Sequence, residues 1–256
     1  MRVIKYILST LFLFASIAPV QSQDIKTQYQ VKRFEYKGEN CLKLCVSVSF
    51  VYPELVSLGT PLARQKIKKQ LEKAMLPNER SISSYAKIFV KEYDYLEQGD
   101  GLLGHRLPWT SETHVKLETI HSHYVAYSVS HYEYTGGAHG NYWTRYYNFD
   151  LKTGEQITLN QLFRAKYLTR LNLVAERAFR EAKKIPLRQS LKEAGFNFEH
   201  NQFQLNQNFL MLPQGVRFLF DVYEVSYYAA GQSEFEIYYY QMAPFVAQTP
   251  YTQDAI

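Results

Sequence analysis

Apolar residues follow a strand period in some parts of the chain and a helix period in others. From Val125 to Glu133 the apolar and aromatic residues recur at every second position, which predicts a strand with one buried face. A second aromatic run, Asn141 to Asp150, predicts a returning strand. Gly136-Gly137 lies between the two runs and permits the turn that they need. We expect the fold to be organised around this strand–corner–strand stretch.

Three segments carry the period of an amphipathic helix. The first begins at Thr60-Pro61, an N-cap threonine followed by proline at the first helical position, and ends before Pro77. The second follows Ser81, and the third spans about residues 167–184. Thr158 and Gln161 are spaced as a capping box, which predicts another short helix start.

Further strands are expected towards both ends of the chain. Residues 29–36 and 41–52 resemble a hairpin that turns at 38–40 and stops at Pro53. The remaining predicted strands are 110–120, 208–212, 216–223 and 234–240. Because the links between strands are short, most pairing should be antiparallel. The predicted fold class is therefore α+β, a mainly antiparallel sheet with about three packed helices.

Residues 1–22 have the pattern of a secretory signal peptide. Arg2 and Lys5 precede an apolar run, residues 7–20, that is shorter than the ~18 residues of a membrane span. Small residues follow where a signal peptidase cleaves. We therefore expect an exported protein, periplasmic or extracellular, with no transmembrane anchor in its mature chain. The rest divides into two closely packed subdomains, 23–138 and 139–256, with a soft boundary.

Composition narrows the choice of partner. The net charge is only +5, and no stripe of Lys and Arg alternates with aromatic residues, so no nucleic acid is expected as a partner. The chain holds 22 tyrosines, many of them beside the glycine corner and in the last strands. Most should pack within the sheets, and any that stay exposed would mark a binding face.

The only two cysteines, Cys41 and Cys45, leave two alternatives open. A disulfide requires Cα atoms about 4.4–6.8 Å apart, whereas four strand residues span ~13 Å. A bridge therefore forms only if Cys41 lies in a curled segment outside the strand. Otherwise both are buried thiols.

Histidines offer one route to a metal site. His121 and His123 are predicted on one face of a strand with His131, and His139 lies in the corner. Three imidazoles hold zinc in many enzymes, but the same positions also suit a sheet edge. No H-E-x-x-H pattern is present. We expect no metal and no cofactor.

The sequence contains only weak signals for a catalytic site. His139 with Glu133 could serve as an acid–base pair, although a structural role that locks the corner is favoured. Two pairs of carboxylates, Asp221 with Glu224 and Glu234 with Glu236, fit either a glycosidase or a solvated strand face. No G-x-S-x-G elbow is present, and we predict no catalytic residue.

Two segments, GGAHGN and NFDLKTGEQITLNQLF, resemble the domain-of-unknown-function family at the extracellular C-terminus of the anti-sigma factor RsiV. A second block of that family is similar to Tyr223-Glu224-Val225 and to residues 228–231. The region from about Tyr29 resembles the companion domain that is also present in the deacetylase PdaC. The resemblance implies a sensing or accessory role, because that part of RsiV binds lysozyme and the catalytic domain of PdaC is separate.

The resulting hypothesis is an exported, non-catalytic binding module of the cell envelope. Its ligand would be peptidoglycan or another glycan, or an envelope protein such as lysozyme. The alternative is an envelope glycan-acting hydrolase or deacetylase-like enzyme. The candidate ligand-binding residues are Tyr134, His139, Asn141, Tyr142, Trp143, Tyr227 and Tyr228.

Overall fold

The computed structural model describes residues 28–39, 45–76, 78, 81–99, 107–164 and 166–253 of the 256-residue chain. The predicted signal peptide, residues 1–22, lies outside these ranges. Within them, eight strands form two sheets and five helices are present. The strands are β1 (Tyr29–Lys37), β2 (Ser47–Leu55), β3 (Thr110–Ile120), β4 (Tyr124–Tyr134), β5 (Asn141–Asp150), β6 (Phe209–Leu212), β7 (Gly215–Phe220) and β8 (Ser233–Tyr238); the helices are α1 (Pro61–Met75), α2 (Ile82–Gly99), α3 (Leu159–Leu162), α4 (Leu168–Ala182) and α5 (Tyr239–Met242).

The first sheet has the order β1-β2-β3-β4-β5. All neighbours in it are antiparallel except β2 and β3, which are parallel and joined by the crossover through α1 and α2. The second sheet, β6-β7-β8, is antiparallel throughout. The predicted α+β class, with mainly antiparallel pairing and three helices of more than one or two turns, is confirmed.

Strand β4 is covered on both faces. Val125, Tyr127 and Val129 pack into the core under α1 and α2, whereas Tyr124 and Ala126 pack against the second sheet. The prediction of one buried face is therefore wrong for the first half of the strand. The alternation identified the correct set of residues for each face, but it could not reveal that a second layer covers the other side.

The second core surrounds α4. Phe179 on this helix is fully buried at the centre of a group of aromatic rings. Its ring contacts Phe196, Phe198, Phe203, Phe220 and Phe235 at centroid distances of 4.9–5.8 Å. Most of these contacts are edge-to-face, the arrangement that the ring quadrupole favours.

The two sheets are joined by hydrogen bonds from side chains to the backbone, and not by a continuous ladder of backbone hydrogen bonds between strands. The Asn148 amide donates from Nδ2 to the Phe209 carbonyl at 2.8 Å and accepts at Oδ1 from the Met211 backbone N–H at 2.8 Å. The Thr119 hydroxyl donates to the Met211 carbonyl at 2.9 Å. Asn148 and Thr119 are both buried, so these hydrogen bonds are shielded from water.

The first hairpin differs from its prediction. β2 begins at Ser47 rather than at residue 41, and its partner at that end is Lys37, so the connection is longer than a three-residue turn. Pro53 lies inside β2 instead of ending it. The parallel pairing with β3 stops at Val51, so no ladder bond to β3 is required of the Pro53 nitrogen.

Cys45 is disulfide-bonded and precedes the regular part of β2. Cys41, the other cysteine, lies outside the described residues. The bonded state of Cys45 excludes the alternative of two free thiols.

The local helix signals are confirmed. The Thr60 side chain accepts from the Ala63 backbone N–H at 3.0 Å, and Pro61 is the first residue of α1. Gln161 accepts from the Thr158 backbone N–H at 2.8 Å and completes the capping box of the short helix α3, which begins at Leu159. Such capping groups are readable from sequence because they act within one helical turn.

We predict that Asn148→Ala lowers the free energy of unfolding by about 2–4 kcal/mol, because two buried backbone groups of β6 lose their partners. Urea unfolding followed by tryptophan fluorescence measures the change. Asn197→Ala is the control, since Asn197 is exposed and its substitution should cost about 0.5 kcal/mol or less. Equal losses in both variants would contradict this role of Asn148.

Candidate functional site

The corner between β4 and β5 is a short glycine-rich loop, residues 135–140. Gly136 and Gly137 have φ values of 103° and 91°, a backbone region that side-chain-bearing residues rarely adopt. The Tyr134 hydroxyl donates to the Gly137 carbonyl at 3.1 Å. The loop is thus tied back to the strand from which it leaves.

His139 is held by the distant residue Tyr228. The two rings stack with centroids 3.8 Å apart and planes 16° from parallel. The Tyr228 hydroxyl donates to the Gly140 carbonyl at 2.7 Å, and His139 Nδ1 lies 2.9 Å from the same oxygen. Tyr228 belongs to a 3₁₀ turn, residues 228–230, so the corner is fixed to the C-terminal half of the chain.

Two further rings extend this stack. Tyr142 meets Tyr228 edge-on at 5.7 Å, and Tyr223 meets it at 5.5 Å. We call His139, Tyr142, Tyr223 and Tyr228 the aromatic corner. Tyr223 is 62% exposed, so the corner presents ring surface to solvent.

A groove of about 490 Å³ begins at this corner and runs beside β5, the edge strand of the first sheet. One wall is the turn that follows β7, and the other is the C-terminal end of α1. We call it the aromatic groove. Among its lining residues are Lys73, Asn141, Tyr142, Trp143, Arg145 and Tyr223.

A buried carboxylate fixes the turn that forms the first wall. Asp221 pairs with Arg145 and accepts hydrogen bonds from Gln232 Nε2 at 2.6 Å and from the Thr144 backbone N–H at 3.3 Å. Its own backbone N–H donates to Glu224 at 2.8 Å. The turn brings Tyr223 into the groove with a φ of 64°, which is rare for an aromatic residue.

The groove is flanked by positive charge. The Arg145 guanidinium carbon lies 5.9 Å from the centre of the Trp143 ring, a cation–π contact, while its Nη1 engages Asp221. Lys73 lies in the last turn of α1 and has no ion pair within the described part of the chain. Aromatic faces beside a cation are suited to a ligand with flat apolar surfaces and some negative charge.

The structure brings most of the predicted residues to one place. His139, Tyr142 and Tyr228 meet in the aromatic corner, while Asn141 and Trp143 line the adjoining groove. Tyr134 is occupied in holding the loop, as described above. Tyr227 is 64% exposed, and its ring contacts none of the other described aromatic rings. That these residues bind a ligand stays a prediction.

The acid–base pair considered from the sequence is not assembled. Glu133 accepts from the Tyr85 hydroxyl at 3.1 Å and lies 3.7 Å from Nε2 of His131, whereas His139 contacts Tyr228. His131 in turn stacks on Trp143 at 5.4 Å. Interaction with His131, together with the Tyr85 hydrogen bond, holds the pKa of Glu133 below its ordinary value despite partial burial.

The histidines that the sequence suggested as metal ligands are not grouped around one point. His121 and His123 lie in the turn between β3 and β4, so the prediction that they share a strand face is wrong. Their ring centroids are 5.8 Å apart, and His121 stacks on Tyr124. In the described ranges, no three His, Cys, Asp or Glu side chains are grouped as metal ligands.

Arginines pair with three of the four carboxylates, Glu234, Glu236 and Asp221. Arg217 contacts Glu234 at 2.9 Å and Glu236 at 2.6 Å across β7 and β8. Asp221 pairs with Arg145, as described above. Glu234 and Glu236 lie on the less buried face of β8, in agreement with the expected solvated strand face. The expectation is wrong for Asp221, which is buried in the turn after β7, while Glu224 accepts hydrogen bonds from Asn206 and from the Asp221 backbone N–H.

Comparisons with known proteins agree with the fold and with the order of the two regions. Residues 39–142 match the family model "Deacetylase PdaC", and residues 160–240 match "Protein of unknown function (DUF3298)". No curated protein matches the chain.

Two solved structures share the fold. A DUF3298 family member from Bacteroides fragilis NCTC 9343 has a TM-score of 0.76 at 18% identity, with 88% of this chain and 96% of that chain covered. A DUF3298 family protein from Pseudomonas aeruginosa PAO1 has a TM-score of 0.64 at 18% identity, with 87% and 94% covered.

The class of protein is thus an α+β chain in which a region that matches the PdaC model precedes a region that matches the DUF3298 model. The predicted resemblance to these two families is confirmed. The further relation to RsiV itself, and the subdomain boundary near residue 139, stay predictions. None of the helices in the described ranges has the length and apolar character needed to cross a membrane.

Sequence reasoning missed Lys73, Arg145 and Tyr223 as parts of the groove. Each comes from a different element and meets the others only through tertiary packing. Arg145 carried a weak signal, since a charged residue stands within an aromatic strand. The other two carried none.

We expect Tyr228→Phe to lower the free energy of unfolding, because the Gly140 carbonyl loses a hydrogen bond while the ring stack remains. Tyr223→Phe is the matched control, since Tyr223 is 62% exposed and its hydroxyl makes no hydrogen bond within the described ranges. Thermal unfolding of the two variants beside the unaltered protein makes the comparison. A Tyr223→Phe loss as large as that of Tyr228→Phe would refute the assigned role.

Glu133 should contribute to stability in a pH-dependent way. Its folded pKa is lowered, so the contribution is present above the unfolded value of ~4.3 and disappears as pH falls through the folded pKa. Glu133→Gln should therefore cost about 1 kcal/mol or less at pH 7 and almost nothing near pH 3. Urea unfolding at the two pH values tests this, with the exposed Glu112→Gln as control. A cost that is independent of pH would contradict it.

Proposed function

We propose that the protein is an exported, non-catalytic binding module of the cell envelope, and that the aromatic groove takes a glycan such as peptidoglycan. The observation that carries the proposal is the groove itself. Tyr142, Trp143 and Tyr223 lie together beside Lys73 and Arg145 at the solvent-open edge of the fold.

Ring surface supports a saccharide ligand. Rings of Tyr and Trp combine a flat apolar face with a polar edge, and they lose little conformational entropy when they bind. Sugar rings present flat C–H faces that fit such surfaces, and their hydroxyl groups match polar neighbours such as Asn141. An open groove of about 490 Å³ accommodates part of a chain rather than enclosing one whole small molecule.

Charge supports an anionic polymer in particular. Arg145 is already paired with Asp221, so Lys73 is the cation that remains for a ligand. A carboxylate of a wall polymer would be attracted by the Lys73 ammonium. Because this ion pair is exposed, added salt would weaken it. The net charge acts in the same direction, although it falls from +5 to +3 when Arg2 and Lys5 leave with the predicted signal peptide.

Export rests on two features of the chain. The first residues have the pattern of a signal peptide, and Cys45 is disulfide-bonded, a state that persists in oxidising compartments. We therefore place the protein in the periplasm or outside the cell.

An envelope protein such as lysozyme is the other partner that this surface suits, because exposed Tyr and Trp also dominate protein interfaces. The name of the PdaC family raises a deacetylase-like or hydrolytic activity as an alternative. That alternative has less support, since Glu133 is engaged by His131 and Tyr85 and not by His139.

We predict that the purified protein co-sediments with isolated sacculi and that the double variant Tyr142→Ala, Tyr223→Ala binds them about tenfold more weakly or worse. Each lost aromatic contact is worth about 0.5–1.5 kcal/mol, and 1.4 kcal/mol is a factor of ten. The measurement is the bound fraction against the amount of sacculi, with and without added lysozyme.

Tyr95→Ala is the matched control, because Tyr95 is an exposed tyrosine on α2 that does not line the groove. It should bind sacculi like the unaltered protein. Retention only when lysozyme is present would replace the glycan by a protein partner. No retention in either case, or equal retention of all variants, would overturn the proposed role of the groove.

A further inference from the structure

Strand β1 is one edge of the first sheet, and among the described residues no strand pairs with its outer side. The other edge, β5, is covered. The Thr144 backbone N–H donates to Asp221, and the Tyr146 backbone N–H donates to Asn208. Asn208 also donates to the Thr144 carbonyl. The fold therefore satisfies backbone groups at one edge of the sheet and leaves those at the other edge available.

The pairing with β2 determines which backbone groups of β1 point outward. At one end the Gly38 N–H donates to the Val46 carbonyl at 3.0 Å, and at the other end the Val56 N–H donates to the Gln28 carbonyl at 2.8 Å. The register between these ends is continuous, without a bulge. Because hydrogen-bonded positions alternate along an antiparallel strand, the even-numbered residues of β1 bond to β2. The odd-numbered residues present their N–H and C=O groups to the free edge.

Strand β1 lacks several features that keep edge strands from pairing with another chain. It is nine residues long and contains no proline, whereas the usual strand has about five or six residues. Charge is the protection that remains. Arg33, Glu35 and Lys37 are exposed on the solvent face, and none of them has an ion pair within the described part of the chain. Their signs are mixed, so a second strand is repelled or attracted according to its register.

These charges select one way of pairing β1 with the same strand of a second copy. In an antiparallel pair centred on Phe34, Arg33 of each copy lies directly opposite Glu35 of the other. Centring the pair on Lys32, on Arg33 or on Glu35 places two identical charges opposite each other instead. Opposite charges across a strand pair are stabilising and like charges are destabilising.

The backbone geometry agrees with the register centred on Phe34. Odd-numbered residues then face odd-numbered residues, so the outward groups of residues 31–37 in the two copies meet and form about eight hydrogen bonds. Phe34 is half-buried and packs against the core under α1 and α2. At the centre of the pair the two Phe34 rings occupy a non-hydrogen-bonded position, where side chains approach most closely and aromatic pairs are stabilising.

We infer that β1 is a self-association surface, and that its partner is β1 of a second copy of this chain, paired antiparallel about Phe34. The pairing joins the two five-stranded sheets into one continuous sheet. Each aromatic groove lies beside β5, at the edge away from β1, so both grooves stay open in the pair. The inference does not depend on the ligand proposed for the groove.

The test measures self-association of the chain without its predicted signal peptide, residues 23–256. Sedimentation velocity over about a hundredfold range of protein concentration should show a monomer that becomes a dimer, since dimerisation follows mass action. Arg33→Glu and Glu35→Arg each place two like-charge pairs in the interface, so each should weaken self-association about tenfold or more. An equimolar mixture of these two variants should associate again, because every substituted position then faces an opposite charge.

Arg188→Glu and Glu181→Arg are the matched controls, since they make the same changes of charge at exposed positions outside β1. They should leave self-association unchanged. Arg33 and Glu35 are also exposed, so all four variants should unfold at the temperature of the unaltered protein. Thermal unfolding followed by circular dichroism checks that the charge changes act on association and not on the fold.

Three results would overturn the inference. They are a monomer at every concentration, self-association that both β1 variants leave unchanged, and a mixture of the two variants that stays monomeric. The first would mean that no second copy covers this edge. The second would place the contact on another surface, and the third would contradict the register centred on Phe34.

Discussion

The fold depends on two asparagine side chains that take the place of a strand ladder. Asn148 on β5 bonds to the backbone of β6 through both ends of its amide, and Asn208, just before β6, bonds in the same way to the backbone of β5. An amide side chain has the same donor and acceptor as a peptide group, so each asparagine acts as one residue of a cross-strand pair. Two sheets with separate cores are thereby fixed without sharing an edge.

The position of the aromatic groove follows from this docking. The second sheet covers one face of β4 and β5, and α1 and α2 cover the other, which leaves ring surface of these two strands at the corner and along the edge of β5. The same docking brings Asp221 to Arg145 and Tyr228 to His139. The aromatic corner is therefore a product of the contact between the two halves and not of its loop alone.

Sequence predicted those features that short-range chemistry determines. Thr60 and Pro61 start a helix, and Gly136 permits a turn, because the groups involved lie within a few residues of each other. Structural features that depend on residues far away in the sequence could not be predicted. Pro53 is tolerated within β2 because the parallel ladder ends early, and His121 lies in a turn because β3 stops at Ile120. Lys73 reaches the groove through the docking of α1, for which its own segment carries no signal.

The distribution of satisfied and unsatisfied groups favours binding over acid–base catalysis at the corner. A general base needs a titratable group that is free to take up a proton from a substrate. Glu133, Asp221 and Glu234 are each engaged by a protein partner, and their interactions hold neighbouring elements in place. In the aromatic groove, the groups left open among the described residues are the faces of aromatic rings and the ammonium group of Lys73. Such groups recognise a ligand by shape and charge, and nothing in that recognition requires a shifted pKa.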